Sequence, residues 1–146
     1  MKLYIITILF PALFSCSKSG SGDDPSREQA LTTGSWILTA AATDYNKDGT
    51  YEEDTYAILA GCEKDNIYTF QPGGTLVKDE GATKCISGNP QVVNLTWSLK
   101  NNRSVLQFSS QNYDIEELTQ TTMKLKGTAS YNVIYTVNVR STYSRQ

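Results

Sequence analysis

An all-β fold is what the chain predicts, and three observations predict it. Apolar and polar side chains alternate from about residue 35 to the end, the period of half-buried strands. Turn-forming residues punctuate the alternation at roughly 8–12-residue spacing. Helical periodicity is scarce. Together these give about eight strands in a meander that closes into a barrel or a sandwich.

In chain order, Ser26 to Leu31 can form a short helix with Ser26 as its N-cap. In the first strand Trp36, Leu38, Ala40 and Ala42 share a face. Asp54 to Ala60 suits another short helix before Cys62. Ile67-Tyr68-Thr69-Phe70 enters a turn at Pro72-Gly73-Gly74 and leaves through Thr75-Leu76-Val77-Lys78, a hairpin, because paired glycines accept positive φ. Val93, Leu95, Trp97 and Leu99 point one way before Asn101-Asn102 turns the chain into Val105-Leu106-Gln107-Phe108. Tyr113 to Leu118 and Met123 to Lys126 follow. Alternation from Tyr131 to Thr142 is unbroken and predicts one long final strand. No repeat divides this stretch, so residues 30–146 read as one domain.

The N-terminus has a different character. Lys2 precedes an apolar run over residues 3–14, interrupted only by Thr7 and Pro11. The run is too short for a membrane-spanning helix, which needs about 20 residues, and suits the apolar stretch of a secretory leader. Leu13-Phe14-Ser15-Cys16 resembles the lipobox of bacterial lipoproteins. That resemblance implies cleavage after residue 15 and a lipid on Cys16. Residues 16–29, rich in Ser and Gly, then form a flexible tether. By the same resemblance Ser17 implies sorting to the outer membrane of a Gram-negative envelope, on its periplasmic or surface face.

Composition narrows the functions. A net charge of −2 with no basic cluster argues against a nucleic-acid surface. The complete absence of histidine removes the usual general base and the commonest zinc ligand. With Cys16 lipidated, Cys62 and Cys85 remain. They could form a disulfide, share a metal, or supply a thiol nucleophile. An oxidising compartment favours the disulfide, since two cysteines without histidine make a poor zinc shell and a nucleophile lacks its base. Asp114, Glu116 and Glu117 read as solvent-facing carboxylates. No catalytic constellation is present, and the chain does not read as an enzyme.

One segment has the pattern of a cation loop. Asp44-Tyr45-Asn46-Lys47-Asp48-Gly49 matches the first half of a calcium-binding loop, with oxygens at alternate positions and a glycine at the sharp turn. The Thr50 carbonyl and Glu53 complete the candidate set of Asp44, Asn46, Asp48, Thr50 and Glu53. Thr55 stands where the bidentate glutamate belongs, and a solvated turn is the favoured alternative.

Gly34-Ser35-Trp36 opens the first strand. Trp36-Ile37-Leu38, Cys62 to Phe70, Gly74-Thr75, Cys85, Thr96 to Leu99 and Ile115 to Thr119 follow in that order. The layout resembles the lipocalin-like lipoproteins of Gram-negative bacteria. The resemblance implies an antiparallel up-and-down barrel whose closed end is packed by Trp36, with Arg140 over the indole as a cation–π partner. It implies an interior lined by Tyr68, Phe70, Trp97, Phe108, Tyr131 and Tyr135. These aromatics either receive a small apolar or amphipathic ligand or fill the barrel solid. Two functions stay open: a membrane-tethered ligand binder without resident cofactor, or an envelope lipoprotein that contacts another protein.

Overall fold

The computed structural model describes residues 25–131 and 135–146. The leader, Cys16 and the first part of the tether lie outside the described residues. The elements are α1 Pro25–Thr32, β1 Trp36–Asp44, α2 Thr55–Ile58, α3 Gly61–Lys64, β2 Ile67–Gln71, β3 Thr75–Asp79, β4 Val92–Lys100, β5 Val105–Phe108, β6 Gln111–Leu118, β7 Thr122–Tyr131 and β8 Tyr135–Arg145. Each strand pairs antiparallel with the next, and β8 returns to β1, closing an eight-stranded up-and-down barrel. The closure passes through Trp36, which pairs with Tyr68 of β2 on one side and Arg145 of β8 on the other. Closure leaves no open sheet edge to template aggregation.

Alternating hairpins give the barrel two unlike ends. The closed end carries α1 and tight turns. The Gly74 N–H closes a turn on the Gln71 carbonyl at 3.3 Å with Pro72 and Gly73 at its centre, and Gly73 and Gly74 take φ of 87° and 92°, left-handed values that glycine adopts without steric cost. The mouth carries two longer connections, β1 to β2 with α2 and α3, and β3 to β4. Leu31, Trp36, Phe70, Leu76, Trp97, Leu106, Phe108, Met123 and Leu125 form a buried cluster that plugs the closed half. Phe70 stands edge-on to both Trp97 and Phe108, at 5.6 and 6.0 Å. Each such side chain contributes about 1.5–3 kcal/mol by leaving water.

Four local expectations are corrected. A register shift between Leu38 and Ala40 inserts Thr39 as an extra residue in β1. The parity flips there, so Ala40 and Ala42 turn outward, and the face they were expected to share with Trp36 ends at Leu38. The run Tyr131 to Thr142 is not one strand: Tyr131 ends β7 and pairs with Tyr135, which begins β8. The alternation hides the break between the strands because Asn132 is the single turn-type residue in the sequence from Tyr131 to Tyr135. The helix expected over Asp54 to Ala60 is shorter. Asp54 caps it, accepting from the Ala57 N–H at 3.1 Å, and α3 follows separately. At the N-terminal boundary, α1 begins at Pro25, so the last residues assigned to the tether are helical.

Gly81 sets the approach of the two long mouth connections. Its φ is +70°, and a Cβ there would lie 2.2 Å from the Asp65 carbonyl oxygen. Gly81→Ala should cost on the order of 2 kcal/mol or more, read as a lower urea midpoint at unchanged slope. A change below about 0.5 kcal/mol, the size of an ordinary surface substitution, would refute the close approach.

Candidate functional site

The roof of the barrel mouth is held by several independent bonds. Cys62 of α3 is joined to Cys85 of the β3–β4 connection by a disulfide. The Asp65 carboxylate accepts from the Thr83 backbone N–H at 2.9 Å and from its hydroxyl at 2.7 Å. Gln91 donates to Asp79 at 2.7 Å and to the Gly81 carbonyl at 2.9 Å. On the chain-entropy model, closing the Cys62–Cys85 loop contributes about 3 kcal/mol.

Beneath this roof is a cavity of about 430 Å³. Leu38, Tyr68, Lys78 and Glu80 form its walls, while Leu59, Asn66, Cys85 and Ile86 overhang it. Lys78 and Glu80 make an ion pair at 2.8 Å. Glu80 is only 8 % exposed. Lys78, first among its contacts, holds the Glu80 carboxyl below the usual range despite burial. Tyr68 stands edge-on to Tyr143 at 5.8 Å, and Phe108 stacks on Tyr113 at 4.7 Å. Burial suppresses ionisation of all three phenols and pushes their pKa up, most of all that of Tyr143. Asn66 is 6 % exposed, and its Oδ1 has no partner among the described residues. An unmet buried acceptor costs free energy, and a ligand donor can relieve that cost.

The six aromatics nominated from sequence divide into three sets. Phe70, Trp97 and Phe108 belong to the plug. Tyr68 lines the cavity. Tyr131 and Tyr135 stand at the β7–β8 hairpin, 5.2 Å apart, with Tyr45 edge-on to Tyr131 at 5.0 Å. The cavity's polar residues Lys78, Glu80 and Asn66 were not nominated. Lys78 could have been, since it sits two residues beyond Leu76 in an alternating strand.

Arg140 does not lie over Trp36. Its neighbour on β1 is Ala42, on the outward face that the Thr39 bulge creates. There it grips Glu116 with two bonds of 2.6 and 2.9 Å and covers the Tyr51 ring at 4.1 Å. Arg145, directly paired with Trp36, takes the indole position at 4.8 Å.

The acidic loop is built on its own hydrogen bonds. Asp44, fully buried, accepts from the N–H groups of Lys47 and Gly49 at 2.6 and 3.1 Å and from Asn138 at 3.0 Å. Burial pushes its pKa up, but these bonds outweigh burial and hold the carboxyl below the usual range. Asn46 accepts from the Asp48 N–H, and Asp48 from the Thr50 N–H, at 2.9 and 2.7 Å. Carboxylate oxygens of Asp44, Asp48 and Glu52 lie within 4.8 Å of one another. Glu53, the expected fifth ligand, instead accepts from the Tyr45 hydroxyl and raises that phenol to about 12.

Residues 32–125 match the family model of the lipocalin-like domain, which is more than half of the chain. The chain belongs to the lipocalin-like domain family. Among solved structures, lobster apocrustacyanin A1 is similar over 84 % of this chain and 63 % of its own length, at 14 % identity and a TM-score of 0.44. The lipocalin-like chain thus spans less than two-thirds of that protein, and a likeness at this level carries no argument about function. A search of curated proteins finds no match.

The lipocalin-like barrel should have a broad stability plateau in pH. Asp44, Asp65, Asp79 and Glu80 are all held low, so their contribution is complete above about pH 4 and lost as pH falls below it. The buried phenols titrate higher in the fold than in the unfolded chain, so stability also falls as pH rises through about 10. No histidine titrates between these limits. Melting temperatures measured from acid to alkali should be flat between about pH 5 and 9 and fall on both sides. A maximum below pH 4 would contradict the bonds assigned to these carboxylates.

Proposed function

We propose that the protein is a lipid-tethered binder of a small apolar or amphipathic molecule, held in the cavity beneath the mouth. The observation that carries the reading is that cavity itself: about 430 Å³, lined by apolar Leu38, Leu59 and Ile86 together with a phenol, one ion pair and one unmet acceptor. Its volume falls within the usual ligand-site range of roughly 300–1,000 Å³. The plug fills the barrel below, so the ligand is small and bound near the entrance. The proposal assigns no catalytic role and no resident cofactor.

The anchor is part of the same proposal. It rests on the apolar run of residues 3–14 and on Ser15-Cys16, which support export, lipidation of Cys16 and residence in the bacterial outer membrane. Among the described residues no helix is long and apolar enough to cross a membrane. A second reading, contact of the mouth with an envelope protein, is favoured by Ile58 and Ile86, which are 73 % and 60 % exposed beside it.

Native mass spectrometry of the full chain purified from its membrane fraction should show a co-purifying small molecule. The neutral fluorophore N-phenylnaphthylamine should bind and be weakened about tenfold by Tyr68→Ala, the loss expected when one aromatic wall goes. Neither adduct nor fluorophore binding would favour the protein-contact reading. Cys16→Ser should move the protein from the membrane to the soluble fraction, and an unchanged distribution would remove the anchor. Calcium is expected to leave the melting temperature where it is, because loop oxygens already accept from backbone N–H groups and Glu53 is engaged by Tyr45. An upward shift reversed by chelator would make the loop a cation site.

A further inference from the structure

The closed end carries a second cavity, of about 390 Å³, on the far side of the aromatic plug from the mouth. Arg27 of α1 and Arg145 at the end of β8 both line it, with Thr33, Thr119 and Gln120 around them, and no carboxylate is among its lining residues. Arg145 is held in place by the Trp36 ring beneath it and by an Nη2 bond to the Ala30 carbonyl. Its Nε is buried with no acceptor among the described residues. Arg27 donates one Nη1 bond, 2.8 Å, to the Arg103 carbonyl. Glu28, next to Arg27 in sequence, pairs at 3.7 Å with Arg103 instead. Neither Arg27 nor Arg145 enters an ion pair among the described residues.

A buried guanidinium donor without an acceptor is costly and calls for an explanation. Two guanidinium groups lining one hollow without a carboxylate supply the charged, forked donors from which phosphate oxygens accept. We propose that this cavity binds a phosphate-type oxyanion between Arg27 and Arg145. The chemistry is shared by a phospholipid headgroup and a soluble phosphate. The site does not depend on the mouth cavity or on the anchor.

Three probes test the site on the full chain carrying Cys16→Ser, so that no acyl chain pellets it: inorganic phosphate by calorimetry at low ionic strength, and co-sedimentation with two kinds of vesicle. One kind mixes phosphatidylethanolamine with phosphatidylglycerol, and the other is a phosphate-free galactolipid. Phosphate should bind saturably and quench or shift Trp36 emission, because Arg145 lies over that ring. Arg27→Gln should weaken it about tenfold, the loss of one charge-assisted bond. Arg145→Lys, which keeps the cation but not the fork, should weaken it as well. Phosphate binding without pelleting assigns a soluble ligand. Pelleting with phospholipid but not galactolipid, lost in Arg27→Gln, assigns the headgroup. No saturable phosphate binding together with equal pelleting by both vesicles, or binding indifferent to both substitutions, would overturn the proposal.

Discussion

The structure depends on one indole. Trp36 is fully buried where β1 meets both of its neighbours, and its Nε1 donates to the Leu31 carbonyl at 2.9 Å. That single bond ties α1 across the closed end, while Arg145 seals the opposite face of the ring. A closed barrel needs its interior filled or walled, because backbone pairing alone leaves a void whose lining loses its dispersion contacts. Trp36 supplies the wall. The mouth cavity lies to one side of this wall and the arginine hollow to the other, so both candidate sites take their shape from it.

The aromatics sort by chemistry on the two sides of the plug boundary. Phe70, Phe108, Trp36 and Trp97 occupy the closed half, where each indole N–H finds a carbonyl: Leu31 for Trp36 and Gln71 for Trp97. Tyr68, Tyr113 and Tyr143 pack against that cluster from above, and Tyr45, Tyr131 and Tyr135 stand at the mouth hairpins. A phenol buried without a partner is costly; Tyr68 meets this by lining the mouth cavity and Tyr45 by donating to Glu53. The same partition explains why part of the barrel is core and part is cup. Gly127 supports it too, since a Cβ there would lie 2.7 Å from the Tyr113 ring and displace it.

Alternation gave the eight-strand meander but left a barrel or a sandwich open, the lipocalin-like resemblance chose the barrel, and the β2–β3 turn at Gly73-Gly74 and the Cys62–Cys85 bond were legible from turn chemistry and cysteine count. What was not legible has three causes. A single-residue bulge reverses every later side chain on its strand, and no residue type announces it; Thr39 thereby moved Ala40 and Ala42 outside. Arg140 and Arg145, an odd number of residues apart on β8, necessarily face opposite ways, so the choice between them rested on register that sequence does not reveal. The Lys78–Glu80 pair was hidden for another reason: charged residues in an alternating strand read as solvent-facing, whereas these two face a cavity. The arginine hollow joins residues more than a hundred positions apart, which only the return of β8 to β1 brings together.

The most direct test of the Trp36 wall is the hydrogen-exchange rate of its indole N–H, followed by NMR under native conditions. With the bond to Leu31 and full burial in place, exchange should require global unfolding, giving an opening free energy equal to that of denaturant unfolding. It should be far slower than exchange of exposed backbone N–H groups in the β3–β4 connection. An indole that exchanges as fast as those groups while the barrel stays folded would contradict the account.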